Sequence, residues 1–181
     1  YTMDNTVSVT GGTDKATYFV SYSNTSNDGV VGPLGYKRNS VNANTSFKVN
    51  SRLTVSSNVM YSNQDIDRMQ EGNANYTFMN TLLASPPSWN PYPIYREDGS
   101  LRLFRGAGRD PYLYSLQSTG TNIQRDRFVG SATVEYKITD HINFRSVTGI
   151  STNLAVSQTH KNKGGIVETQ GLYNRSKTSN K

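Results

Sequence analysis

Apolar and polar residues alternate with a period of two along most of this chain, and the alternation comes in paired runs. Tyr18, Val20 and Tyr22 share one face of a strand over Ala16–Asn24, opposite Thr17, Phe19, Ser21 and Ser23. From Arg38 to Val49, Val41, Ala43, Thr45, Phe47 and Val49 oppose Asn42, Asn44, Ser46 and Lys48. After Asn50-Ser51-Arg52, Leu53, Val55, Ser57, Val59 and Tyr61 oppose Thr54, Ser56, Asn58 and Met60. Phe128, Gly130, Ala132, Val134, Tyr136 and Ile138 repeat the pattern, and Ile142, Phe144, Ser146, Thr148 and Ile150 answer it beyond the next turn. This periodicity predicts half-buried β-strands joined as hairpins. A weaker strand over Asn5–Gly11 precedes the turn Gly11-Gly12-Thr13-Asp14, and Tyr173 opens a last one.

One unit occurs twice. Phe47-Lys48-Val49-Asn50-Ser51-Arg52-Leu53 and Tyr136-Lys137-Ile138-Thr139-Asp140-His141-Ile142 agree position by position in residue type: aromatic, lysine, β-branched, two turn formers, a cation or histidine, an aliphatic. Such a repeat marks a recurring hairpin. The connections alternate short and long. Short turns fall at Gly12–Lys15, Asn50–Arg52 and Thr139–His141; long loops fall near Asn27–Gly35, Asn63–Gln124 and Asn153–Gly171. Inside the longest, Tyr76, Met79 and Leu83 have helical spacing until Pro86-Pro87 ends it.

A soluble sandwich has no reason to alternate tight turns with loops of up to about sixty residues, whereas a transmembrane barrel does. Its strands need roughly 9–11 tilted residues, apolar toward lipid and polar toward the lumen, and closure satisfies every backbone group in lipid. The fold class expected is therefore all-β, an antiparallel transmembrane β-barrel segment. Six or seven strands do not close a large barrel, so residues 1–181 are expected to be a partial barrel domain, part of a longer chain, with no plug domain. The short turns should then face the periplasm and the long loops the outside.

Composition narrows the function. The chain has 181 residues, 34% hydrophobic, with Tyr at 12 and Phe at 6, a mix suited to strands and turns. Cysteine is absent, which excludes disulfides and thiolate metal sites. The net charge of +6 is scattered singly, unlike a nucleic-acid footprint. Asp65, Asp67 and Glu71 lack the ligand set of a calcium loop, and His141 and His160 lack a third zinc ligand. No nucleophile elbow, phosphate loop or paired acid and base is present. Neither a metal, a cofactor nor an enzyme is expected. Trp89, Tyr92, Tyr95, Tyr112 and Tyr114, in the longest loop, are the candidates for substrate or partner contact, because aromatic faces stack on sugars and apolar groups. The competing expectation is that they pack the loop onto itself. Tyr18, Tyr22, Tyr61 and Tyr136 are candidates for the aromatic girdles at the membrane interfaces.

These residues resemble a known family. Thr6 to Ser21, then Asp28-Gly29-Val30-Val31 with Tyr36-Lys37-Arg38, resemble the corresponding hairpin and loop of SusC/RagA-type TonB-linked outer-membrane proteins of Bacteroidetes. So do Leu82 to Pro87, Pro93-Ile94-Tyr95, Asp98-Gly99-Ser100 and Asp110-Pro111, and after them Arg127 to Phe144. The resemblance implies a stretch of a 22-stranded barrel in the bacterial outer membrane. It implies a nutrient importer for glycans or peptides, a SusD-like surface lipoprotein as lid, and energy from TonB through a plug region not matched here. The alternative, from another class, is a soluble all-β carbohydrate-binding or adhesin module, which would dissolve and fold without detergent.

Overall fold

A computed structural model describes residues 1–104, 106, 108–167 and 169–180. Seven strands form one sheet: β1 (Thr2–Gly12), β2 (Ala16–Asp28), β3 (Gly35–Lys48), β4 (Leu53–Arg68), β5 (Thr119–Lys137), β6 (Asn143–Lys161) and β7 (Leu172–Asn180). Every strand pairs antiparallel with its sequence neighbour, in the order β1 to β7. The sheet is open, with β1 and β7 at its two edges.

Register puts the separate alternations onto one surface. Val9 pairs with Val20, Val20 with Ala43, Ala43 with Val59, Val59 with Gly130 and Gly130 with Ile150. Directly opposed residues share a face, so this row and its neighbours make a single apolar face. Its members stand open: Val7 is 67% exposed, Phe144 53% and Ile150 57%. Among the described residues, the buried hydrophobic side chains are Phe78, Leu101 and Tyr114, all outside the sheet. The opposite face carries Ser8, Ser21 and Asn42 in register across β1 to β3, and Asn44, Asn58 and Ser131 in register across β3 to β5. Asn58 Nδ2 donates to Asn44 Oδ1 there, and Ser56 Oγ to Ser46 Oγ (3.0 Å).

The three short turns lie at one rim and share a device. The side chain of the first residue accepts the backbone N–H groups two and three positions on. Thr13 Oγ1 accepts from Lys15 and Ala16, Asn50 Oδ1 from Arg52 and Leu53 (2.8 and 2.9 Å), and Thr139 Oγ1 from His141 and Ile142. This is the local bonding that favours Asn and Thr in turns. The repeat is thus threefold. Lys48 N–H donates to the Lys15 carbonyl and Lys137 N–H to the Arg52 carbonyl (2.7 and 2.8 Å), so each copy leans on the turn before it.

The strands outrun the loops expected from sequence. β4 continues to Arg68 and β5 begins at Thr119, so the longest connection is 69–118 and not 63–124. Likewise β6 continues to Lys161, leaving 162–171 as the connection, which places His160 on a strand and not in a loop. Asp65 and Asp67 also lie on β4. β5 and β6 each hold 19 residues, about 65 Å at ~3.4 Å per residue, far beyond the 9–11 that cross a bilayer. Their distal halves are mostly polar on both sides, with Ile123, Leu154 and Val156 as exceptions, and cross-strand side-chain bonds such as that between the Thr121 and Thr159 hydroxyls (3.0 Å) add to the backbone pairing.

The 69–118 connection carries α1 (Phe78–Ala84) and α2 (Tyr112–Ser118). The first holds Met79 and Leu83 of the helical spacing read from sequence, with Tyr76 ahead of its start, and ends at Ala84, capped by Ser85 before the two prolines.

Candidate functional site: the loop platform

The long connection folds on a small core of its own. Trp89 packs on Phe104 (centroids 5.3 Å) and edge-on against Tyr112 (5.9 Å), and Tyr112 meets Phe78 (6.2 Å). The Arg102 guanidinium lies over the Trp89 ring and donates to the Tyr92 and Pro93 carbonyls. Residues 94–102 form a minimal hairpin: Arg96 N–H donates to the Ser100 carbonyl and Arg102 N–H to the Ile94 carbonyl (2.8 and 2.9 Å). Gly99, at φ 79°, supplies the left-handed turn position. The Ser100 hydroxyl and N–H both donate to Asp98 Oδ1, and the hydroxyl bond foremost holds that carboxyl below the usual carboxylate range.

A buried ion pair ties this core to the 162–171 loop. Lys161 Nζ lies 3.5 Å from Asp110 Oδ2, with side chains 2% and 0% exposed. The ammonium also sits 3.8 Å from the Tyr76 ring centroid, a desolvated cation–π contact. Asp110 Oδ1 accepts from the N–H groups of Ile166 and Val167 (2.6 and 3.3 Å), and Asp110 N–H donates to the Asn75 carbonyl (3.0 Å). Tyr114 Oη donates to the Lys163 carbonyl (3.1 Å), and Asn162 N–H to the Ser118 carbonyl (2.8 Å). Two loops from different parts of the chain become one body. Lys161 shares the polar face of the sheet with Arg125, Arg127 and Asn153, by register and alternation, so the body leans over that face.

The five loop aromatics divide. Tyr114 is buried, and Trp89 and Tyr112 are half-buried in the stacked core. Tyr92 and Tyr95 keep free rings, 62% and 49% exposed, the geometry needed to stack on a ligand. Sequence singled out neither Lys161 nor the role of Asp110, since the pair exists only once two distant loops meet. The Asp110-Pro111 step ahead of α2 was the available signal: Pro111 caps that helix. Asp65 and Asp67 both accept from Asn122 Nδ2 (2.7 and 2.8 Å), and among the described residues no cluster suited to a metal ion forms.

The girdle candidates all lie on the apolar face and are exposed. Toward the loop rim, Tyr22 Oη donates to Asn39 Oδ1 (2.8 Å) and Tyr61 Oη to Asp126 Oδ1 (2.7 Å), while Asn24 and Asn63 donate to the same acceptors. Each ring thus ends the apolar band with its hydroxyl in a polar row. Toward the turn rim stand Tyr136, paired with Leu53 and Phe144, and Tyr18, whose ring covers Gly11.

Comparison with solved structures meets this architecture over its whole length. The RagAB peptide importer in its closed-closed state superposes with a TM-score of 0.73 at 14% identity, covering 98% of this chain and 20% of that one. The chain has the fold of a RagA-type barrel wall. A second structure, of the RagAB peptide transporter, gives 0.72 at 15% identity over the same shares. In sequence, the TonB-dependent receptor P26 of Formosa agariphila is 26% identical over 143 residues, 77% of this chain and 14% of that protein. No protein-family model matches the chain. The resemblance to SusC/RagA-type TonB-linked proteins therefore stands in both sequence and fold, and the matched proteins are named as a receptor and importers. The chain spans between a seventh and a fifth of the proteins it matches.

Burial pushes the Tyr114 phenol above its ordinary value of 10.0. A raised phenol keeps its proton where the unfolded one loses it. The stability that the buried, protonated Tyr114 contributes is full below the ordinary tyrosine value and is lost as pH rises through the raised one. Melting between about pH 9 and 11 should therefore drop more steeply for wild type than for Tyr114→Phe. Equal slopes would remove Tyr114 from the account.

Proposed function

We propose that this chain is part of the wall of a TonB-dependent importer in a bacterial outer membrane. Its apolar face meets lipid and its polar face lines the lumen. The short-turn rim faces the periplasm and the rim with the 69–118 and 162–171 loops faces outside. The cargo class is glycan or peptide. A SusD-like surface lipoprotein closes over the loop rim, and TonB acts through a plug outside this stretch. The observation that carries the reading is the continuous exposed apolar face, bounded by tyrosines, on a sheet whose other face is predominantly polar. A soluble binding module would cover such a face with a second layer, and among the described residues nothing covers it.

Within this reading Tyr92 and Tyr95 are the loop residues placed to touch cargo or lid, whereas Trp89, Tyr112 and Tyr114 hold the platform. Bimane attached at Val59→Cys in the intact protein should be quenched by brominated lipids, and bimane at Asn58→Cys should not. Equal quenching at both positions would overturn the assignment of faces.

A further inference from the structure

On the polar face, just below the loop platform, three arginines converge with no carboxylate of their own among them. Arg38 pairs with Gln64, and Gln64 with Arg125, in one row across β3, β4 and β5. Arg127 stands in the next row beside Ser62 and Asn153. At strand spacings of ~4.8 Å and ~6.8 Å between same-face neighbours, the three guanidinium groups can reach one small group between them. Gln64, Arg125, Arg127, Ser151 and Asn153 line a concavity of about 290 Å³ there. Arg38 Nε is buried and lacks a hydrogen-bond partner.

The acids nearest in sequence are turned away. Asp65, Asp67 and Asp126 alternate onto the opposite face, where Asn122, Tyr61 and Asn63 already occupy their oxygens. Among the described residues the ion pairs are Arg145 with Glu135, near the turn rim, and Lys161 with Asp110. Near the loop rim of β3 to β5 the arginines thus stand on the polar face and these aspartates on the other. A guanidinium fork matches a carboxylate with two parallel hydrogen bonds, and Gln64 and Asn153 add neutral donors.

We infer that Arg38, Arg125 and Arg127, with Gln64 and Asn153, form a carboxylate-binding site on the lumen wall, which selects cargo bearing a free carboxylate as it passes the loop platform. The inference rests on the barrel-wall reading for the direction of the polar face. The carboxylate has two sources, a peptide C-terminus or a uronic acid.

The test uses the intact protein in nanodiscs and four probes: N-acetyl-hexaalanine and its C-terminal amide, and trigalacturonate and its methyl ester. In at least one pair the carboxylate form should bind roughly tenfold tighter or more, and that pair names the source. Arg125→Gln with Arg127→Gln should abolish the preference, so that the carboxylate and neutral probes bind alike, while the matching double lysine variant, which keeps charge but loses the fork, should retain part of it. No preference in wild type, or one undiminished in the glutamine variant, overturns the site. If wild type shows no preference and the glutamine variant melts lower, the arginines pair with a carboxylate of the protein itself, which also overturns it. Bromolipid quenching at positions 58 and 59, measured on the same samples, separates the two readings. Failure there sinks the barrel wall; success there without a carboxylate preference sinks only this site.

Discussion

Replacing Asp110 with alanine is expected to release the 162–171 loop from the rest of the platform. The change strands the Lys161 ammonium, which is 2% exposed, in a site with no other anion among the described residues. Removing one member of a buried pair costs about 3–5 kcal/mol. It also strips Ile166 and Val167 of the acceptor for their N–H groups, and the Asn75 carbonyl then keeps a donor that nothing else positions. Lys161→Met should cost less, because Asp110 retains both backbone donors and a thioether of similar length fills the stem's volume. Hydrogen exchange checks this directly. Amides at 166 and 167 should lose most of their protection in Asp110→Ala and only part of it in Lys161→Met, with β1 to β3 unchanged. Equal loss in both variants, or none in either, would mean that the two loops dock through their apolar contacts alone.

A single arginine on the apolar face should cost nearly as much. Val59 lies in the row Val20, Ala43, Val59, Gly130, Ile150, away from both girdles. Val59→Arg puts a cation near the middle of the apolar band, at about 2–4 kcal/mol. Asn58→Arg, one residue away on the polar face, should fold within ~0.5 kcal/mol of wild type. Folding of the intact protein into lipid vesicles, read by heat-modifiable mobility on gels, compares the two. The barrel-wall reading fails if both variants fold alike.

Strand pairing was legible wherever one face met an apolar medium, because lipid and lumen impose opposite preferences on successive residues. That is why Val41 to Val49 and Phe128 to Ile138 announce themselves. Beyond the tyrosines both faces are wet, alternation loses its cause, and the stretches 63–68, 119–124 and 153–161 read as loop although they are strand. The third copy of the turn was hidden for a different reason. Thr13-Asp14-Lys15 has the same chemistry as Thr139-Asp140-His141, but Gly11-Gly12 precedes it where the other copies carry a lysine and a β-branched residue. In the long loop, the aromatic positions were visible and their division was not. Whether a ring stacks inward like Trp89 or stands free like Tyr92 depends on partners such as Phe104 and Arg102, which only the folded loop brings together.

Because every strand pairs with the one next to it in sequence, the sheet has an obvious order of assembly. Five of its six joints close over a short segment, the kind of contact that forms early. The joint between β4 and β5 does not. Closing a fifty-residue loop costs about 2 kcal/mol more entropy than closing a four-residue turn, unless the loop has already shortened itself. The stacked rings around Trp89 and the two helices do that, drawing the ends of 69–118 together. The platform is then also a folding chaperone in cis: it brings β5 to β4, and a loop emptied of its aromatics would slow the growth of the sheet at that one joint.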